Sequence, residues 1–198
     1  MRVIAGEYRS RPLRSLRGMD LRPTADRLRE TLFDVLTAGN PSGVEGSIWL
    51  DLYAGTGAVG IEALSRGAAM VYFVECSGKS AELVRNNLRS LGVAAGYQVL
   101  KQETARALRA LDSSGMVADF IFLDPPYRME DQYQSTLEFL GQSGLLRAET
   151  LVIAEHQKRL DPSASFGGLQ RFRRLDQGDA SLSFYRLHLP SDTKAKLT

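Results

Sequence analysis

Between residues 47 and 156 the sequence alternates five short apolar runs with four stretches of helical periodicity, a pattern few folds accept. The runs are SIWLDLY, AMVYFVEC, YQVLKQ, DFIFLDPP and TLVIAEH. Between them lie a glycine turn with a helix from about Val59 to Ser65, then GKSAELVRNNLRSLG, TARALRAL and DQYQSTLEFLGQSG. Strands alternating with helices specify βαβ units, and hence a mostly parallel, doubly wound sheet. Continuous apolar stretches such as YFV and FIFL call for burial on both faces, which helices on either side provide. Residues 170–188 predict two final strands around QGDAS. The expected class is α/β and Rossmann-like, with a seven-stranded sheet.

The first forty residues read differently. Residues 1–18 predict a short basic β-hairpin with its turn at Gly6. LRPTADRLRETLFDVLTAGN predicts a helix with Thr24 as N-cap, Leu28, Leu32, Val35 and Leu36 on one apolar face, and Gly39-Asn40 closing it. The expected organisation is thus an extension over 1–40, a main domain over 41–190 and a disordered tail over 191–198. The whole chain carries a net charge of +2, yet residues 1–30 hold eight arginines against four acids. Arginine's planar fork suits phosphates and bases, so nucleic acid is a candidate partner for this arm. The single cysteine, Cys76, excludes an intrachain disulfide. No apolar run is long enough to span a bilayer, and MRVIAGEYRSR lacks a signal-peptide hydrophobic region, so a cytoplasmic location is expected.

Two stretches carry chemistry. In DLYAGTGAVGIEALSRGA, residues Gly55, Gly57 and Gly60 satisfy G-x-G-x-x-G between a predicted strand and a helix. There a backbone can approach a ligand closely and a helix N-terminus faces it. The next strand ends in Glu75, placed to bind ribose hydroxyls. Asp51, just before the turn, would repel a pyrophosphate but suits a ligand with an ammonium and a sulfonium, as in S-adenosylmethionine; the alternative is that it only binds loop amides. The second stretch is FIFLDPPY. A Pro-Pro pair ends a strand abruptly and stiffens the residues after it, where a plain connector has Gly, Asn or Ser. In an open parallel sheet, ligands collect at strand carboxyl ends near the topological switch point, so Asp124 should face whatever the glycine turn holds.

The pairing of DLYAGTGAVGIEALSRGA with LDPPY resembles the class I S-adenosylmethionine-dependent methyltransferases, in the D/N-P-P-Y/F version that methylates exocyclic or amide nitrogens. RVIAGEYRSRPL followed by LRPTADRLRETLFDVL is similar to the N-terminal signature of the bacterial 16S ribosomal RNA guanine-N2 methyltransferases (RsmD-like). The resemblance runs from Arg2 to His156. It implies S-adenosylmethionine as cofactor, held by Asp51, Tyr53, Ala54, Gly55, Gly57, Glu75 and Asp124, and a terminal antiparallel hairpin in the sheet. Tyr53 stands where the broad fingerprint often has glycine, and QET offers Glu103 or Thr104 where an Asp or Asn often meets adenine.

The resemblance implies methyl transfer to N2 of one guanine in 16S rRNA of the small subunit. That amino group's lone pair is delocalised, and two hydrogen-bond acceptors would aim it at the methyl group. Asp124 and the Pro125 carbonyl are the candidate acceptors, with Tyr127 stacking on a target base that has left its helix or loop. Arg22, Arg27 and Arg29 would lie near RNA phosphates, with Arg9, Arg11 and Arg14 reaching backbone farther away. A small chain with one basic arm points to a shape made by RNA with proteins already bound, and nothing requires more than a monomer. Rival readings are an adenine-N6 or glutamine-N5 methyltransferase, and a non-catalytic RNA-binding assembly factor. Trp49 reads as core, Cys76 as a buried or half-buried thiol, and His156 and His188 as strand-end residues outside the chemistry.

Overall fold

The computed structural model describes residues 1–15, 23–40, 42–126 and 129–188, with backbone only for 23–25. Five parallel strands form one half of the sheet: β1 (Ile48–Leu52), β2 (Met70–Val74), β3 (Tyr97–Leu100), β4 (Phe120–Leu123) and β5 (Leu151–Gln157). The other half is antiparallel: β6 (Ser165–Phe166), β7 (Leu169–Gln177) and β8 (Ala180–Leu187). The order across the sheet is β3-β2-β1-β4-β5-β8-β7-β6. The sheet therefore has eight strands, one more than expected. The extra strand is a two-residue edge pairing Ser165 with Gln170 and Phe166 with Leu169, too short to leave a periodicity in the sequence.

Helices α1 (Pro23–Thr37), α2 (Ala58–Ser65) and α3 (Gly78–Leu91) cover one face; α4 (Thr104–Ser113) and α5 (Asp131–Leu140) cover the other. Successive strand residues point to opposite faces. Trp49, Phe73, Phe122 and Ile153 share the first core with Leu28, Leu32 and Phe33 of α1, whereas Leu52, Val74, Leu123 and Ala154 belong to the second. Trp49 is stacked between Phe33 and Phe120, with ring centroids 5.4 and 4.9 Å away. The first forty residues thus contribute to the main core instead of building their own. The Thr24 side chain and residues 191–198 lie outside the described residues.

The predicted N-terminal hairpin is present: Arg2 bridges Pro12, Val3 donates to the Arg11 carbonyl at 3.0 Å, Ser10 to the Val3 carbonyl at 2.9 Å and Leu13 to the Met1 carbonyl at 3.1 Å, with the turn at Gly6. The amides around that turn reach α2. Ile4 and Ala5 donate to the two carboxylate oxygens of Glu62 at 2.8 and 2.9 Å, Glu7 to the Ser65 carbonyl at 2.7 Å and Tyr8 to the Ser65 hydroxyl at 3.0 Å. Glu62 is fully buried, and Arg66 also donates to it at 2.8 Å. Backbone N–H groups that the hairpin leaves unpaired must find acceptors, and here α2 supplies them.

Candidate active site

The direction of winding reverses between β1 and β4, the place where open α/β sheets bind ligands. Four carboxylates meet there. Asp51 shares the face of Trp49, and Glu75 follows Phe73 by two residues, Asp124 follows Phe122 by two and Glu155 follows Ile153 by two. Register sets their level: Leu52 lies opposite Val74 and Leu123, and Leu123 opposite Ala154. Glu75 and Asp124, just past the ends of β2 and β4, and Glu155, two residues before the end of β5, therefore stand in one row, with Asp51 one step deeper on β1. Adjacent strands are about 4.8 Å apart, which puts Asp124 and Glu155 side by side.

The glycine turn is held from both sides. Glu75 accepts the Gly55 N–H at 2.9 Å with one oxygen and the Ser77 N–H at 2.8 Å with the other. Each carboxylate oxygen keeps a second lone pair, so ribose hydroxyls can still be accepted. Ala54 is buried, donates to the Val74 carbonyl at 2.9 Å and accepts from Gly57 at 2.7 Å. Gly57 caps α2 in the left-handed region at φ 77°, open to glycine at no steric cost. Gly60 meets a different demand: a Cβ there would come within 2.4 Å of Phe73 and 2.8 Å of Val71, so only glycine lets α2 lie this close to the sheet. Tyr53 adopts φ 65° without being glycine, the kind of backbone strain that collects at ligand sites. Its hydroxyl bonds Gln132 at 3.1 Å and Thr136 at 3.0 Å on α5.

Asp51 resolves toward the second of its two readings. It is 2% exposed, and one oxygen accepts the Gly60 N–H at 2.9 Å. It holds the turn from beneath through this bond to a loop amide. Burial, with the charges of Asp124 and Glu75 nearby, pushes its pKa up to about 8. Burial likewise pushes half-buried Asp124 up to about 7. Glu155 is raised well above its ordinary value by burial and by Asp124, against the opposing field of Arg29. No carboxylate of Asp124 or Glu155 accepts a hydrogen bond from a described residue. Carboxyls raised by burial and by one another's charge, grouped at strand ends, are a pattern common to functional sites. Among the described residues no three acidic, His or Cys side chains are grouped to hold a metal.

Pro125 is buried and Pro126 exposed, directly after Asp124; Tyr127 lies outside the described residues. Of the two candidates after β3, Thr104 is buried beside the Tyr53 hydroxyl, and Glu103 is exposed at the start of α4. Glu155 is an addition to the expected site. Its signal is present in the sequence, an acid ending an apolar run as in Glu75 and Asp124. Cys76 is exposed, not the buried or half-buried thiol expected.

The arginine arm divides. Arg29 is 5% exposed, donates to the Arg2 carbonyl at 2.6 Å and to Asp26 at 3.1 Å, and its Nε lies 3.9 Å from Glu62. This corrects its assignment to RNA: it sits in the same stripe of α1 as Phe33, four residues on, and links arm to core. Arg27 is exposed on the opposite side of α1. Arg9 and Arg11 are exposed, and Arg11 donates to the Ser90 carbonyl at 2.8 Å, near the far end of α3. With a rise of 1.5 Å per residue, Ser90 lies about 5 Å along the helix beyond Asn87, the residue that touches the glycine turn at Thr56. Arg14 is nearer: its N–H donates at 2.9 Å to Asn87, whose amide donates to the Thr56 carbonyl at 2.9 Å. Arg22 lies outside the described residues.

Comparison with known proteins agrees with the fold. More distant structures with the same fold include a SAM-dependent methyltransferase from Agrobacterium tumefaciens, at 16% identity and TM-score 0.62 over 84% of this chain and 63% of that one. The solved structure of Escherichia coli yhhF, 28% identical, superposes with a TM-score of 0.79 over 94% of this chain and 97% of that one. YlbH of Bacillus subtilis, named provisionally as an rRNA methyltransferase, is 33% identical over 186 residues, 94% of this chain and 98% of its own. Ribosomal RNA small subunit methyltransferase D of E. coli is 34% identical over 157 residues, 79% of this chain and 75% of its own. The fold is the Rossmann-like fold of the class I methyltransferases. Within that class, residues 1–186 match the family described as Conserved hypothetical protein 95, and the chain belongs to it.

Proposed function

We propose that this enzyme methylates the exocyclic N2 of one guanine in 16S rRNA, within a small-subunit particle. The observation that carries the reading is Asp124-Pro125-Pro126 at the carboxyl end of β4, one strand from the cofactor turn and on the same face as Glu75 and Asp51. A ligand with an ammonium and a sulfonium suits this acidic row. Glu75 is placed for its ribose hydroxyls and Glu103 for the rim nearest its base; the Gly55–Gly57 turn gives it a close backbone approach. Bound there, S-adenosylmethionine supplies an electrophilic methyl whose bond to sulfur breaks as the bond to nitrogen forms.

The chain's own task is to shape the nucleophile. The Asp124 carboxylate and the Pro125 carbonyl accept the two N2 hydrogens and turn the lone pair toward the methyl group. Neither proline has an N–H to compete. Such preorganised acceptors need no rearrangement at the transition state. The methylated nitrogen is acidic enough to lose its surplus proton to water, so Asp124 serves as acceptor. Tyr127 stacks on the extruded base. Arg14, Arg22 and Arg27 meet phosphates near the site, and Arg9 and Arg11 meet backbone farther off. No helix among the described residues is long and apolar enough to cross a membrane, and we place the enzyme in the cytoplasm as a monomer.

The test is methyl incorporation from labelled S-adenosylmethionine into small subunits lacking the modification, followed by nucleoside analysis. Wild type should yield N2-methylguanosine, and Asp124→Ala should lower the rate by about 10²–10³-fold with S-adenosylhomocysteine binding retained. Label on adenine or on protein would overturn the substrate; no label on any small-subunit particle would favour a binding protein.

A further inference from the structure

Glu155 has no part in the methyl-transfer chemistry of Asp124 and Pro125, yet its setting is unusual for a structural acid. It follows the last β5 residue paired with β4 and stands on the cofactor face beside Asp124, because Leu123 pairs with Ala154. Its backbone is fixed: the carbonyl accepts the Tyr133 hydroxyl at 2.8 Å. Its half-buried carboxylate accepts no hydrogen bond from any described residue. Arg29, the cation whose field reaches it, is bonded instead to Asp26 and the Arg2 carbonyl. A half-buried carboxylate with no donor from a described residue can take donors that a ligand brings.

A guanine methyl acceptor has such donors. Its pairing edge presents N1–H next to the two hydrogens of N2. Adenine and cytosine present a lone pair at the position next to their amino group, and uracil has no amino group. Two acids on neighbouring strands match the guanine edge alone: Asp124 takes N2, and the next acceptor outward takes N1. We propose that Glu155 selects guanine as the target base, its carboxylate accepting N1–H while Asp124 holds the amino group. The inference rests on the guanine-N2 reading and adds the residue that enforces it. A base with a lone pair at N1 would face Glu155 directly and be repelled.

The test replaces the target guanine by 2-aminopurine, which keeps the 2-amino group but has a lone pair at N1, in small-subunit particles reconstituted from ligated rRNA. Wild type should prefer guanine by about 10²-fold in kcat/KM, the scale of a good bidentate contact. Glu155→Gln keeps the shape but can donate to a lone pair at N1. Its guanine rate should fall and its relative rate on 2-aminopurine rise, moving the ratio by at least about tenfold with S-adenosylhomocysteine affinity unchanged. Equal losses on both bases would make Glu155 structural and overturn the inference. Equal use of both bases by wild type would overturn it with no variant needed, which also decides the matter if Glu155→Gln fails to fold. Absence of N2-methylguanosine from wild type on guanine is a separate result, and it would remove the function reading itself.

Discussion

The two halves of the sheet treat their acids in opposite ways. In the antiparallel half, Asp161 is met by Arg171 at 2.6 Å and Arg174 at 2.9 Å, and Asp176 accepts from Ser181 at 2.7 Å and Arg174 at 3.0 Å. The Arg171 hydrogen bond holds Asp161 below the usual carboxylate range, and the Ser181 and Arg174 hydrogen bonds do the same for Asp176. In the parallel half, Asp51, Asp124 and Glu155 are all pushed up, by burial first and by one another's charge where they interact. One half is neutralised by its own residues. The other keeps its charge imbalance for a ligand, which is how functional sites depart from structural ion pairs.

The largest effect should come from removing the central acid. Asp124→Asn should lower methyl transfer by about 10²–10³-fold, because an amide is a weaker acceptor and its NH₂ opposes the N2 hydrogens. The same change should raise stability, with a definite pH dependence. The folded pKa of Asp124, about 7, lies above its ordinary value of 3.8. Stability from this group is therefore fully present below about pH 4 and is lost as pH rises through 7. Melting curves should show variant and wild type together at about pH 4 and the variant higher by roughly 2–6 °C at about pH 8. Equal melting at both pH values would show that Asp124 is not strained by its surroundings. Wild-type kcat/KM should rise with pH through about 7 as the acceptor ionises in the fields of Glu155, Asp51 and Glu75.

A smaller loss is expected at the neighbouring strand. Glu75→Ala removes the acceptor for the Gly55 and Ser77 N–H groups, and with it the proposed ribose contact. S-adenosylhomocysteine should bind about 10–100-fold more weakly by calorimetry, at a typical ~1.5–3 kcal/mol for bonds to a charged group. Unchanged affinity would mean that the turn is preformed without Glu75.

Local chemistry explains which parts of the site are legible in the sequence. Asp124 and Glu75 are legible because each closes an apolar run next to a diagnostic turn. Gly60 is legible as part of a fingerprint, although its reason, contact with Phe73 and Val71, is tertiary. Arg29 misleads because a charged residue between Leu28 and Leu32 looks solvated until Glu62, 33 positions away, is known to lie beneath it. The hairpin is legible, but its docking is hidden for the same cause: Glu62 and Ser65, 57 or more positions on, take the amides around its turn. Long-range acceptors leave no local pattern. Glu155 does leave one, an acid after VIA, but no motif points to it.

The smallest effect tests the other side of the comparison. Asp161→Asn removes the partner of Arg171 and Arg174 far from the acidic row. Asp161 is largely exposed, so solvent screens the pair and the loss should be slight, at most about 2 °C in melting temperature near pH 7. Its pKa is lowered in the fold, so its stabilisation is present above the ordinary carboxylate value and vanishes as pH falls through the depressed one. The difference between variant and wild type should therefore close in acid, the reverse of the Asp124 series, while methyl transfer stays within about twofold. If Asp161→Asn lost activity as Asp124→Asn does, the antiparallel half could no longer be treated as scaffold alone, and the division between neutralised and waiting acids would fail at its edge.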